Sequence, residues 1–281
     1  MSVKNKADTA NDDIELGLLL EAVYLKYGYD FRRYSKAHLK RRIGRRLTLA
    51  GLGNIAEMLH RILTDQSFFE TLLLDLSINV TEMFRDPPFY LAVRREVIPL
   101  LKTYPFVKIW HAGCATGEEV YSLAILLKEE GLYERAQIYA TDFNETVLQR
   151  AKEGVYPIAA VKEYTANYQK AGGAGSFTDY YTAGYDSVIL AAELRKKIVF
   201  ADHNLATDGV FGEMHLIFCR NVLIYFEKNL QNRVIDLFYE SLCPGGFLCL
   251  GSKESLRFTG HDAHFEPFRQ NEKIFRKKLR C

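Results

Sequence analysis

Residues 109–122 read IWHAGCATGEEVYS, a buried strand running through a turn of small residues, Ala112-Gly113-Cys114-Ala115-Thr116-Gly117, into a helix opened by Glu118 and Glu119. Without a Cβ, glycine lets a ligand approach backbone N–H groups and a helix N-terminus closely. A second strand follows within Tyr139–Leu148 (YATDFNETVL) and ends in Asp142. An acid at the tip of the strand after such a turn, roughly 20 residues on, is where nucleotide folds bind the two hydroxyls of a ribose. Asp142 lies 25 residues after Gly117. A third apolar strand, within Leu216–Phe226 (LIFCRNVLIYF), ends in the polar pair Arg220-Asn221, where an open α/β sheet places its active-site groups. The turn alone, G-x-A-x-G, would pass for an ordinary strand-to-helix connection, and acids favour any helix start. Together with Asp142 it points to a nucleotide-type cofactor.

Outward from these motifs the rhythm is regular. Strands and helices alternate over 107–112, 118–131, 136–141, 144–152, 198–201, 215–219, 229–242 and 246–251, the pattern of a doubly wound parallel sheet. Lys273–Lys277 would add a last strand. The stretch 157–197 interrupts the rhythm; rich in Gly, Tyr and Ser, it suits a small antiparallel β insertion. Upstream, Ile14–Phe84 is helical throughout, with Leu16, Leu19, Leu20 and Val23 as one stripe and a second helix over about Lys36–Ala50. The expected division is 1–13 disordered, 14–84 a helical domain, 85–106 a linker and first helix, and 107–281 the α/β domain. The linker begins at Arg85-Asp86-Pro87-Pro88, because paired prolines disfavour helix before them.

Composition narrows the function. The chain has 281 residues, a net charge of +2 and no run long and apolar enough to span a bilayer. Its polar start, Met1–Asp13, has no secretory h-region. Five cysteines (114, 219, 243, 249 and 281) without a C-x-x-C pair read as free thiols in a reducing cytosol, and the seven histidines show no metal-ligand spacing. Charge is uneven: Lys26–Arg46 holds nine Lys or Arg and one acid, Asp30. Arg41, Arg42 and Arg45 would share a helix face opposite Leu39, Ile43, Leu47 and Ala50, a candidate docking surface for carboxylates.

Several motifs recur in a fixed order: Asn79-Val80-Thr81-x-x-Phe84-Arg85, Gly113-Cys114-Ala115-Thr116-Gly117-Glu118-Glu119-x-Tyr121-Ser122, Ala140-Thr141-Asp142, Gly154-Val155-Tyr156, Asn204-Leu205 and Phe218–Phe226. In these the chain, from about Tyr27 to Phe275, resembles the chemotaxis-receptor glutamate methyltransferases of CheR type. The resemblance implies a Rossmann-like methyltransferase domain that binds S-adenosylmethionine (SAM) and releases S-adenosylhomocysteine. It implies a glutamate acceptor on the helical cytoplasmic domain of a chemoreceptor-like protein; the chain itself is expected to be a cytoplasmic monomer with no nucleic-acid partner and no direct membrane insertion. By the same resemblance Asn79, Thr81 and Arg85 cover the cofactor, with Arg85 beside the reacting centre. Gly113, Glu118 and Glu119 bind the cofactor, the Gly113–Gly117 turn admitting its methionine part; Asp142 holds the ribose, and Asn204 and Leu205 flank the adenine. Asn221 and Val222 line the cofactor, and Tyr225 points its hydroxyl at the acceptor. His111 departs from the pattern, which has a small residue there. An ionised carboxylate is already nucleophilic, so no general base is expected. Two other readings stay open. A nucleic-acid methyltransferase would use the basic helix for phosphates, and Asp86-Pro87-Pro88-Phe89 looks like the box that grips an exocyclic amine, although it precedes the turn. A catalytically silent SAM-binding adapter would keep Asp142 and the turn.

Overall fold

The computed structural model describes residues 6–77, 81–257 and 259–279. Two compact units emerge, one of Met1–Ile78 with Tyr225–Gln231 and one of Asn79–Ile224 with Asn232–Cys281. The boundary thus falls before the 84/85 position expected, and a short downstream segment joins the helical unit.

That unit is built from α1 (Lys6–Tyr27), α2 (Lys36–Ala50), α3 (Ile55–Thr64) and α4 (Gln66–Leu76). Residues 6–13, expected without structure, already belong to α1. Leu16, Leu19, Leu20 and Val23 are buried, as are Leu39 and Ile43 of α2, Met58 and Ile62 of α3, and Leu72 and Leu76 of α4. Gly51 ends α2 in the left-handed region (φ +66°), where glycine has no Cβ penalty. Asp65 closes α3 and caps α4, accepting from the Phe68 N–H at 3.1 Å. Tyr225–Gln231 is stitched on by backbone: Ser35 N donates to Tyr225 O (2.8 Å) and Glu227 N to Arg33 O (2.9 Å).

The larger unit opens with α5 (Pro87–Ala92), which passes through a π-helical stretch, Val93–Val97, into α6 (Ile98–Leu101). Here the expected linker is corrected. Proline at the first helical position costs no hydrogen bond, so Pro87 starts a helix whose Phe89, Tyr90, Val93, Val97, Ile98 and Leu101 enter the core. Then come β1 (Val107–Ala112), α7 (Glu118–Glu129), β2 (Ala136–Asp142), α8 (Glu145–Glu153), β3 (Val155–Pro157), α9 (Val161–Lys170), β4 (Tyr181–Ala183) and β5 (Ser187–Leu190). The chain ends with β6 (Ile198–Asp202), β7 (Met214–Cys219), α10 (Lys228–Ser241), β8 (Leu242–Leu250), β9 (Phe265–Arg269) and β10 (Ile274–Lys277).

Seven strands form one sheet in the order β6-β2-β1-β7-β8-β10-β9. The first five are parallel, and β10 turns antiparallel against both β8 and β9. Strands covered on both faces lose the in–out alternation, and β1 is buried at every position but Lys108. Order reverses between β1 and β7, so the crevice at their carboxyl ends is the topological switch point. The insertion is a three-stranded antiparallel sheet, β3-β5-β4, as expected, but with the unexpected helix α9. No described helix is long and apolar enough to cross a membrane.

Candidate cofactor site

At the switch point the turn after β1 is folded by backbone bonds to β2. Gly113 N and Cys114 N both donate to Thr141 O, at 2.8 and 2.9 Å. Asp142 continues the bracing: its Oδ2 accepts from Ala115 N (3.0 Å) and its Oδ1 from Asn144 N (3.1 Å). Ala115 sits at φ +48°, a conformation an L-residue keeps only when its surroundings hold it. Burial pushes the Asp142 carboxyl up to about 6, against these hydrogen bonds. An ionised carboxylate has about four acceptor sites, and backbone N–H groups of Ala115, Asn144 and Phe143 engage three of them, which leaves room for a ribose hydroxyl.

The glycines have a second reason. A Cβ on Gly113 (φ +73°) would stand 2.7 Å from Val222 Cγ2, and one on Gly117 (φ +91°) 3.0 Å from Ala151 Cβ. Packing against the loop after β7 and against α8 therefore demands glycine independently of any ligand. Gly113 and Val222, both predicted for the site, are brought together.

Glu118 and Glu119 begin α7, and both are buried. Thr116 Oγ1 donates to Glu118 Oε2 at 2.7 Å. Burial pushes Glu118 up to about 7, the Thr116 hydrogen bond opposing. Glu119 is also raised by burial, while the Arg220 and Arg85 charges pull it down. His111 lies 4.0 Å from Glu119 and stacks on Phe218; burial and then the Arg220 charge push it down to about 3, so it is neutral.

The stretch bearing Arg85 lies across the start of α7. Phe84 N donates to Ser122 Oγ (2.8 Å), which donates to Glu118 O (2.7 Å), and Asn167 Nδ2 of α9 holds Met83 O (3.2 Å). Phe84 and Asp86, on either side of Arg85, have φ of +53° and +57°. Thr81 is half-buried in the same stretch; Asn79 lies outside the described residues. Asp86, read from sequence as part of a linker, instead bonds to Arg220 (2.5 Å).

After β7, Asn221 occupies the left-handed region (φ +60°), and its N–H donates to Glu254 Oε2 (3.0 Å). The same carboxylate takes Gly251 N (2.6 Å) and Ile224 N (3.3 Å). Asn221 Oδ1 is buried with no partner among the described residues. Buried polar atoms are nearly always satisfied, so this oxygen suits a donor from a bound molecule. Beyond β6, Asn204 closes an Asx turn, Oδ1 accepting from Ala206 N (2.9 Å), and Leu205 is buried beside it. An adenine contact from Asn204 would thus use its amide nitrogen.

Two expectations fall in the helical unit. Tyr225 is half-buried, with its ring edge-on to His38 at 5.2 Å. The arginine face is corrected. Arg41 and Arg45 are exposed, but Arg42 turns inward to the Asp75 carbonyl of α4, and Arg46 pairs with the Asp75 carboxylate. A charge that satisfies a helix-end carbonyl is not a solvated one.

Sequence reasoning missed the roles of Arg220, Asp86 and Glu254. Arg220 stood out only as half of a polar pair ending a strand. Its partners are remote in sequence, and Glu254 follows β8 with no local signature at all.

Residues 79–274 match the CheR methyltransferase SAM-binding domain, and 14–77 match the CheR methyltransferase all-alpha domain. A Pseudomonas putida protein named as the methyltransferase Cher3 is 55% identical over 95% of this chain and 98% of its own. The chemotaxis protein methyltransferase 2 of Pseudomonas aeruginosa is 33% identical over 81% of each chain. The chemotaxis protein methyltransferase of Borreliella burgdorferi is 28% identical over 86% of this chain and 88% of its own.

Proposed function

The chain belongs to the CheR methyltransferase family and is a SAM-dependent methyltransferase; from that premise we propose that it esterifies glutamate side chains on the helical cytoplasmic domain of a receptor-type protein. The observation that carries this reading is Arg85, held between two strained residues across the start of α7. A guanidinium stays ionised and can grip a carboxylate with a fixed fork of donors. That is the group a glutamate acceptor requires and an amine acceptor does not.

The cofactor supplies an electrophilic sulfonium methyl group, whose loss to a carboxylate oxygen leaves S-adenosylhomocysteine. Asp142 is assigned to the ribose hydroxyls, Asn204 and Leu205 to the adenine. Glu118, Glu119 and the Gly113 turn are assigned to the charged methionine end, and Asn221 and Val222 to the lining opposite. Thr81 is assigned to the cover. Arg85 is assigned to orienting the acceptor oxygen without protonating it. Holding two reactants in line supplies several kcal/mol of the barrier, so no base is needed. Arg41 and Arg45, exposed and like-charged, are assigned to reading acidic residues around the target glutamate.

The test is to incubate the protein with tritium-labelled SAM and host lysate, then treat the labelled proteins with mild alkali. Glutamyl methyl esters release volatile methanol. Label that survives alkali would refute the proposal in favour of amine methylation, and no label in any protein fraction would leave SAM binding alone.

A further inference from the structure

Arg220 directly follows β7, with only 1% of its side chain exposed. Its guanidinium is shared among three groups from two distant segments. Nη1 meets the Glu119 carboxylate at the start of α7 and the Arg85 carbonyl at 3.2 Å; Nη2 meets the Asp86 carboxylate at 2.5 Å. The cation also lies 4.1 Å from the centre of the Phe89 ring, the third residue of α5. Burying a guanidinium is costly unless its charge and donors are answered, and here two carboxylates, a carbonyl and an aromatic face answer them.

The geometry around Arg85 gives this arrangement a purpose. Left-handed backbone at Phe84 and Asp86 is strained and persists only where tertiary contacts enforce it. Phe84 is enforced by Ser122. On the far side of Arg85 the Asp86 carboxylate accepts from Arg220, and the Arg85 carbonyl accepts from the same guanidinium.

We propose that Arg220 is a positioning residue of methyl transfer, whose fork fixes the turn bearing Arg85 relative to the start of α7. The proposal rests on the reading of Arg85 given above. Arg220 acts through Arg85 and not on the acceptor. Fork geometry is essential, because a single ammonium cannot reach Glu119, Asp86 and the Arg85 carbonyl along separate directions.

Three variants test it. Arg220→Lys keeps the charge beside Glu119 and loses the fork. Asp86→Asn, at a residue with a half-exposed side chain, takes the negative charge from one bond to Arg220 and leaves the Arg220–Glu119 pair intact, so folding is not at stake. Arg220→Lys in an Arg85→Ala background asks whether the effect travels through Arg85. Calorimetry gives SAM stoichiometry and affinity; initial rates of total tritium transfer from labelled SAM to lysate protein, per SAM-binding site, give turnover. Displacement of a positioning group by about 1 Å can cost a hundredfold. Arg220→Lys is therefore expected to lose on the order of a hundredfold in turnover, and Asp86→Asn about tenfold, with SAM affinity within a factor of about two and no further loss in the Arg85→Ala background. Unchanged turnover in both single variants overturns the proposal. So does a turnover loss matched by an equal loss of SAM affinity, or a full additional loss when Arg85 is already alanine. Release of label by alkali tests the ester reading separately, since total transfer counts any methylated product.

Discussion

Glu118→Gln separates what a buried carboxylate costs the fold from what it contributes to the site. Burial raises Glu118 from an ordinary 4.5 to about 7. The helix N-terminus favours the anion by only about 0.3–1 kcal/mol, and desolvation outweighs it. A raised carboxyl means that the folded chain binds more protons than the unfolded chain between those two values. Stability contributed by this group is therefore full below pH 4.5 and falls as pH rises through about 7. At 1.36 kcal/mol per pH unit, the penalty at pH 8 is about 3 kcal/mol, and at pH 5.5 about 1 kcal/mol.

Glutamine carries no charge to desolvate, and its carbonyl can still accept from the Thr116 hydroxyl. The cofactor-free variant should therefore melt above the parent at pH 8. A shift of about 2 °C per kcal/mol for a chain of this size makes the gain roughly 6 °C, falling to roughly 2 °C at pH 5.5. SAM affinity should move the other way, weakening at pH 8 because the methionine ammonium loses its anionic partner. Scanning calorimetry of both proteins at the two pH values reads the first effect, and titration with SAM the second. If the variant gains nothing at pH 8, or gains the same at both pH values, Glu118 is not held ionised at a cost and the argument fails.

Asp142→Ala should weaken SAM binding by about 1–3 kcal/mol, typical of leaving buried hydroxyls unpaired; unchanged affinity by calorimetry in a folded protein would remove Asp142 from the site. Gly113→Ala would set a Cβ 2.7 Å from Val222 Cγ2 at φ +73°. It should lower the melting temperature, and adding Val222→Ala should recover only the steric share. Arg85→Ala should reduce turnover far more than stability, with Arg85→Lys a partial rescue; equal single-turnover rates would make Arg85 structural. Reversing Arg41 and Arg45 to Glu, with Arg42 left to hold the Asp75 carbonyl, should slow receptor methylation at low salt and spare SAM binding, and the difference should shrink as salt screens it. Equal rates at low salt would show a merely solvated face.

What the sequence made legible was whatever depends on near neighbours. The apolar runs at 107–112 and 215–219 became β1 and β7 within a residue, because a buried parallel strand leaves its mark in consecutive side chains. α9 was missed for the same reason. Its buried Tyr164 and Tyr168 are spaced as on a helix face, yet the flanking Gly-rich stretch dominates any local reading. Pro87 was read as a break when its position, directly after Asp86, equally suits a helix start. The inward turn of Arg42 has no counterpart in its own helix, since Asp75 lies 33 residues on.

The candidate site shows why its remaining members could not be read that way. Five non-glycine residues among those described have positive φ, and four of them, Phe84, Asp86, Ala115 and Asn221, lie in the turns of this site. None belongs to a type that betrays its conformation, and Asp and Asn occur in ordinary turns everywhere. Each is held by a group distant in sequence: Phe84 N by Ser122, Asp86 by Arg220, Ala115 N by Asp142 and Asn221 N by Glu254. In three cases a carboxylate is one of the partners. All three fix backbone that would otherwise relax, and under the proposed function Asp142 also places negative charge where a cationic cofactor is to bind. Burial raises Asp142 and Glu118, and under the proposed function a cationic cofactor is the partner that offsets this cost. Cofactor binding should accordingly release protons near neutral pH. Calorimetry in buffers of differing ionisation enthalpy would detect that release, and its absence would mean that these carboxylates are already ionised without the ligand.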